Sequence, residues 1–512
     1  MGHWLAPASA ARMTGFVKRF AARLWAVDFP RPMMASICTI APDAVRMECL
    51  FYRKDDLAGS IWASEDKADH PLLRYETDRD YRRCRLSFRW RSAGVRKLDE
   101  THGPTLTIEG RDAEGVARTW LVRLWNYASG DPEDALVSLD FAALAEGFGP
   151  GGAVFAGDVD RMFVSLVAPD YDGTDAALAA PAEGWVEVSE IACDGSGSVL
   201  ACGEALLPEH QLRIATGYDD LYHLTPERVL GQALALGYRG ALNHYVGMSH
   251  YFRLGDDGLV DAAAAMNGPC AAWHRDFATR AKALGFSPIF SLSYELLDQH
   301  TPEGWKQRAS DGSPALTGWE PPSALLSPAN GDAMGWLQGV AAAFAGIADE
   351  AGLPVRFQVG EPWWWVTADG RICLYDDAAV ASFAPVAIAD VRGPLDAAQR
   401  ATLDAAGETL AGSTTDLCAA VLAVAPEAEL LLLAYLPTVL DVAAPEVKRA
   451  NMPLGWAAPA FDVLQLEDYD WASLGAHGAT ARGVAEANAR LGYPLGAQHY
   501  FAGFVLAPED RA

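Results

Sequence analysis

No stretch of this 512-residue chain is apolar for long enough to span a bilayer, so stable membrane insertion is not expected. Positive charge is scarce. The 40 Lys and Arg face 67 Asp and Glu, and the net charge of −27 repels phosphate backbones, which argues against a nucleic-acid partner. The eight cysteines (Cys38, Cys49, Cys84, Cys193, Cys202, Cys270, Cys373, Cys418) contain no Cys-x-x-Cys pair. Neither a zinc site nor a dense disulfide framework is therefore expected, and most of them read as buried thiols. His244, His250 and His499 have no short ligand spacing, so no metal is expected either. Gly-x-Gly-x-x-Gly after a strand, a Walker loop and a Gly-x-Ser-x-Gly elbow are all missing. Nucleotide binding and serine hydrolysis lose their strongest cues, and no cofactor is expected.

What is present divides into three stretches. Arg12 to Leu24 is basic and amphipathic without the apolar run of a secretory signal. It reads as a short helix docking on the body or on a neighbouring subunit, with a transit peptide or a membrane-surface helix as the alternatives. From residue 28 to 205, short alternating runs such as Arg85-Leu-Ser-Phe-Arg-Trp90, Thr105-Leu-Thr-Ile-Glu109 and Arg161-Met-Phe-Val-Ser-Leu166 predict an all-β sandwich. Within it, Asp170 to Glu183 reads as a loop.

From residue 206 to 512 the pattern becomes apolar runs alternating with Ala-rich helical stretches, as in a parallel sheet with crossover helices. Strands are expected at Leu212–Thr216, Gly240–Val246, Pro288–Tyr294, Val355–Gly360, Glu429–Leu436, Asp462–Leu466 and Leu495–Tyr500. The fold class is thus an N-terminal β-sandwich followed by an α/β TIM (β/α) barrel. A barrel of this kind closes with eight strands. Either a strand is hidden, the long segment Val366 to Glu427 being one place for it, or the barrel is incomplete at the C-terminus.

Barrel sites lie at the C-terminal ends of the strands. Collected there are Asn243-His-Tyr245, Ser293-Tyr-Glu295, Gly360-Glu-Pro-Trp-Trp-Trp365, Ala434-Tyr435, Gln465-Leu-Glu-Asp-Tyr469 and Gln498-His-Tyr500. Glycoside cleavage needs one carboxylic acid to protonate the leaving oxygen and a second carboxylate as nucleophile or base. Glu361 and Glu467 each follow an apolar strand and form the natural catalytic pair. His244, Tyr294, Glu295, Trp363, Trp364, Tyr435, Asp468 and His499 are the candidates for shaping sugar subsites. The indoles beside Glu361 offer faces for sugar rings and desolvate its carboxyl.

These residues resemble a known family. Val359-Gly-Glu361, Leu433-Ala-Tyr435 and Phe461-Asp-Val-Leu-Gln-Leu-Glu-Asp-Tyr469 with Trp471 are similar to the TIM-barrel, glycoside-hydrolase-like domain of tail proteins in phages, prophages and gene transfer agents. Val27-Asp-Phe-Pro-Arg-Pro-Met-Met34 and Phe51-Tyr-Arg-Lys-Asp-Asp-Leu57 resemble a tail-associated protein of alphaproteobacterial prophages. The resemblance implies a virion tail component, assembled in the bacterial cytoplasm beside other tail or baseplate proteins and acting at the cell surface. Its barrel would contact or cleave a polysaccharide, and its sandwich would act as a carbohydrate-binding module. Glu361 matches the fourth-strand acid/base of retaining clan-A glycosidases, where Asn rather than Gly360 usually precedes it. That clan's nucleophile ends the seventh strand, whereas Glu467 falls on the sixth. Two functions follow: a glycan-cleaving enzyme, or a catalytically inactive barrel that binds glycan or serves as a structural tail part.

Overall fold

The computed structural model describes residues 16–66, 74–148, 151–201 and 208–501. The chain folds into two compact units. The first holds residues up to 214 together with 220–240 and 267–286; the second holds 215–219, 241–266 and 287 onward.

The first unit is built on two antiparallel sheets. One has six strands in the order Met34–Ala41, Ala44–Arg53, Ala177–Gly195, Cys84–Ala93, Asp134–Asp140 and Ala128–Asp131; the other has five, Ala26–Asp28, Leu57–Ala63, Val159–Val167, Thr105–Arg111 and Ala117–Arg123. Alternation in sequence becomes alternation in burial: Ala135, Val137 and Leu139 point inward while Leu136 and Ser138 stay exposed. Trp62, Trp90, Met47, Leu106 and Val164, drawn from both sheets, share one apolar core. Full burial of each such side chain contributes about 1.5–3 kcal/mol.

Two expectations need correction here. Phe16–Lys18 is a strand, antiparallel to Val199–Ala201, and not part of a helix. Arg19 after it is wholly buried, its guanidinium 4.0 Å over the Tyr81 ring and bonded to the Asp80 carbonyl, so the basic side chains of this segment do not form one solvent-facing stripe. The part of that stretch before residue 16 lies outside the described residues. The expected loop at Asp170 to Glu183 is only half a loop, because the strand that pairs with Ala44–Arg53 begins at Ala177.

The second unit carries the parallel sheet, with seven strands in sequence order among the described residues: β1 (Ile214–Gly217), β2 (Ala241–Tyr245), β3 (Ser287–Ser293), β4 (Arg356–Gly360), β5 (Glu429–Tyr435), β6 (Val463–Glu467) and β7 (Gln498–Phe501). Every neighbouring pair from β2 to β7 is parallel. β7 starts at Gln498 because Leu495–Ala497 forms a turn of 3-10 helix. The helices between these strands in sequence are α1 (Pro226–Ala235) and α2 (Gly268–Leu284), which belong to the first unit, and α3 (Gly331–Glu350), α4 (Ala397–Val424) and α5 (His477–Leu491) of the second. Side-chain caps start most of them: Thr225, Asn267 and Asn330 each accept from a backbone N–H three residues on, and Asp396 with Gln399 closes a capping box. Val366 to Glu427 holds helices and turns but no strand, so Glu361 ends the fourth strand and Glu467 lies at the end of the sixth. No described helix is long and apolar enough to cross a membrane.

Candidate active site

Strand parity decides which side chains reach the barrel interior. Ile289, Leu431 and Val463 form an apolar layer toward the strand beginnings. Polar groups stand beside and just beyond them, Asn243 level with Ile289, Gln358 level with Leu431 and Gln465 two residues after Val463. Asn243 donates to Gln358 at 3.4 Å, Gln358 donates to Gln465, and Gln465 lies 3.2 Å from Nδ1 of His499. This chain of amides links β2, β4, β6 and β7. Another two residues on come Tyr245, Ser293, Gly360, Tyr435 and Glu467, with Tyr435 directly beside Glu467 in the parallel register and Ser293 beside Gly360.

Three carboxyls at this level bear on one another electrically, those of Glu295, Glu361 and Glu467, without being grouped closely enough to hold a metal ion. Glu361 remains partly exposed, whereas Glu467 and Glu295 are 2% and 1% exposed. Desolvation pushes the Glu361 carboxyl up to about 7. Desolvation, then the charges of Glu361 and Asp468, push Glu467 up to about 8. Glu295 rises well above the usual carboxylate range through desolvation, then through Glu361. Like charges so close cannot all ionise near neutrality, and the cluster titrates as a unit. The Tyr245 and Tyr469 phenols are also pushed up, first by burial and then by the charges of Glu361 and Glu467.

The backbone at Glu361 is unusual. Its φ of +48° lies in the left-handed region, rare for a side chain other than glycine. Such strain persists only where neighbours over-determine it. Gly360 just before it lies close to β3: a Cβ there would fall 2.7 Å from Oγ of Ser291, so that hydroxyl would have to turn away to admit a larger residue.

Two buried amides sort the three tryptophans. Gln307 donates to the Trp363 carbonyl at 2.8 Å and accepts from the Trp365 N–H at 2.8 Å. Asn451 accepts from the Trp364 N–H at 2.8 Å and donates to its carbonyl at 2.9 Å. Trp363 then packs against Trp365 and edge-on to Tyr435, whose ring lies 4.8 Å from that of Tyr469. Trp364 points the other way, fully buried, its indole donating to the Ala406 carbonyl on α4.

Of the residues expected from sequence, Glu295, Glu361, Glu467, Trp363 and Tyr435 come together, and His499 sits one layer below. Trp364, His244, Tyr294 and Asp468 do not join them. His244 lies on the opposite face of β2, bonded to Thr216 at 2.8 Å and edge-on to Phe290. The Tyr294 hydroxyl bonds Ser413 on α4. Asp468 accepts from Thr480 of α5 and from the Tyr500 hydroxyl. Tyr245 and Tyr469 were not among the expected site residues. The alternation that pairs Asn243 with Tyr245 was the signal for the first, and the proximity of Tyr469 to Glu467 for the second.

A model described as the non-contractile tail sheath protein TIM barrel matches residues 208–512, and one described as the non-contractile tail sheath N-terminal domain matches residues 17–203. The chain belongs to the non-contractile tail sheath protein family. It is therefore a virion tail component whose partners include other tail proteins. Among solved structures, this tail sheath protein is similar to the PgaB (BpsB) glycoside hydrolase domain from Bordetella bronchiseptica, at 17% identity and a TM-score of 0.38 over 57% of this chain and 83% of that one. It is also similar to the CBM22-1–GH10 modules of a Clostridium thermocellum endo-1,4-β-D-xylanase complexed with xylohexaose, at 8% identity and a TM-score of 0.33 over 96% and 89%.

Proposed function

We propose that this tail sheath protein cleaves a bacterial cell-surface polysaccharide in its barrel, by a two-carboxylate mechanism using Glu361 and Glu467. The observation that carries this reading is the pair itself. Both acids at the strand ends hold their protons beyond the usual carboxylate range, Glu361 through burial and Glu467 through burial and then the charge of Glu361, so a proton remains on the pair near neutral pH. Glu361, the more open of the two, delivers that proton to the glycosidic oxygen, and Glu467 serves as the second carboxylate. Trp363, Trp365 and Tyr435 supply apolar faces for the sugar ring.

Glu361→Gln, assayed on a panel of bacterial surface polysaccharides, tests it. The expected result is a loss of about 100-fold or more in reducing-end release with binding retained; unchanged release removes Glu361 from the mechanism. A second reading, glycan binding without cleavage, is favoured by the depth of Glu467, which at 2% exposure is far less open than Glu361. Wild-type protein that binds a polysaccharide but releases no new ends establishes that alternative.

A further inference from the structure

Glycosidic cleavage needs two carboxyls, and this mouth has three. Glu295 is the surplus acid. It begins the short strand Glu295–Leu297, antiparallel to Ser323–Leu325 and paired directly with Leu325, which belongs to the same apolar cluster as Trp363 and Tyr435. Its backbone N–H donates to the Ser293 hydroxyl at 3.1 Å, but its Oε2 is buried with no hydrogen-bond partner. The indole N–H of Trp363, which shares its apolar cluster with Leu325, is equally buried and equally unpartnered. A buried polar atom left unpaired costs about 1–3 kcal/mol, so such atoms in a site mark where a ligand supplies the missing partner.

The sign of the missing partner follows from the surroundings. The charges that bear on Glu295 and Glu467 are those of Glu361 and Asp468, both negative. Beside Glu467 stands an aromatic cluster, in which Tyr435 touches Trp363 and Tyr469 and Trp363 touches Trp365. Acids with no basic partner among the described residues, next to rings whose π-surfaces are negative, attract a cation. A bare metal ion does not suit them: among the described residues no three acidic, histidine or cysteine side chains are grouped so as to hold one. An ammonium group carried on a sugar ring suits them better. It offers N–H donors to separated carboxylates, while the ring lies along the indoles.

We infer that the barrel mouth is selective for a glycan bearing free amino groups, with the Glu295 carboxylate as the ammonium's partner. This rests on the reading of the mouth as a glycan site but not on cleavage. Neutral or N-acetylated sugars leave Glu295 unpaired and bind less well. Ammonium binding favours the ionised acids, so it expels a proton from the cluster.

The test is calorimetric titration of the full chain with a glucosamine oligomer and with its fully N-acetylated counterpart. The measurement is made at about pH 6, below the range in which amines lose their proton, in two buffers of different ionisation enthalpy. The expected result is about tenfold or more tighter binding of the amine form, proton release on binding, and loss of most of that preference in Glu295→Gln. Equal affinity for the two oligomers, or no binding of the glucosamine oligomer, overturns the inference. The wild-type comparison decides even if Glu295→Gln fails to fold. Binding selectivity without cleavage sinks the hydrolase reading and leaves this one standing; cleavage without selectivity does the reverse.

Discussion

At the scale of single residues, the acids of the mouth tie stability to pH. A glutamate in the unfolded chain titrates near 4.5, whereas Glu361 and Glu467 are raised to about 7 and about 8 in the fold. A raised folded value means that the folded state holds the proton more tightly. The contribution is complete below about 4.5 and is lost as pH rises through about 7 to 8. Glu467→Gln keeps the side-chain volume and removes the ionisation. The variant is expected to gain on the wild type as pH rises across that window, by about 1–3 kcal/mol at the alkaline end. Urea unfolding at a series of pH values measures the difference, and a difference independent of pH contradicts the burial of Glu467 against Glu361. The positive φ of Glu361 belongs to the same account, since strain and unfavourable charge both concentrate where the protein has a function.

At the scale of elements, the wall of the site depends on amide side chains that stand in for backbone. Gln307 makes three bonds, to the carbonyls of Leu326 and Trp363 and from the Trp365 N–H. Gln307→Ala leaves those groups buried without partners and is expected to destabilise by about 2–4 kcal/mol. A red shift of tryptophan fluorescence should accompany it as Trp363 and Trp365 lose their fixed packing; denaturant unfolding and emission spectra check both. The strands themselves were legible in the sequence, because a run such as Leu430 to Leu433 is buried on both faces and has few other solutions. Facing was less legible. Parity makes Gln465 and Glu467 companions, but only the register with β5 and β7 shows that they point inward and that Asp468 does not. His244 and Tyr294 look like mouth residues in one dimension, yet each sits one residue out of phase with its inward neighbours. The strand at Phe16–Lys18 was illegible for a different reason: its partner, Val199–Ala201, is far away in sequence, and local amphipathicity carries no trace of it.

At the scale of the whole molecule, the change in sequence pattern near residue 205 does not coincide with the division into compact units. The two family matches meet between residues 203 and 208, but α1 and α2, which follow that point, fold into the first unit. Physical ties explain why. Arg228 on α1 forms an ion pair with Asp66, the two side chains only 6% and 9% exposed, and Arg280 on α2 donates to the Thr39 carbonyl. A buried pair adds little net stability over an apolar pair of the same shape, but breaking it strands a charge away from water. Arg228→Ala is therefore expected to cost about 3–5 kcal/mol. Replacing both partners by leucine should recover most of that loss, because no charge is then left behind. Chemical denaturation of the single and double variants measures the difference. A double variant as unstable as the single one means that packing around α1, and not the stranded Asp66 charge, holds this segment in the first unit.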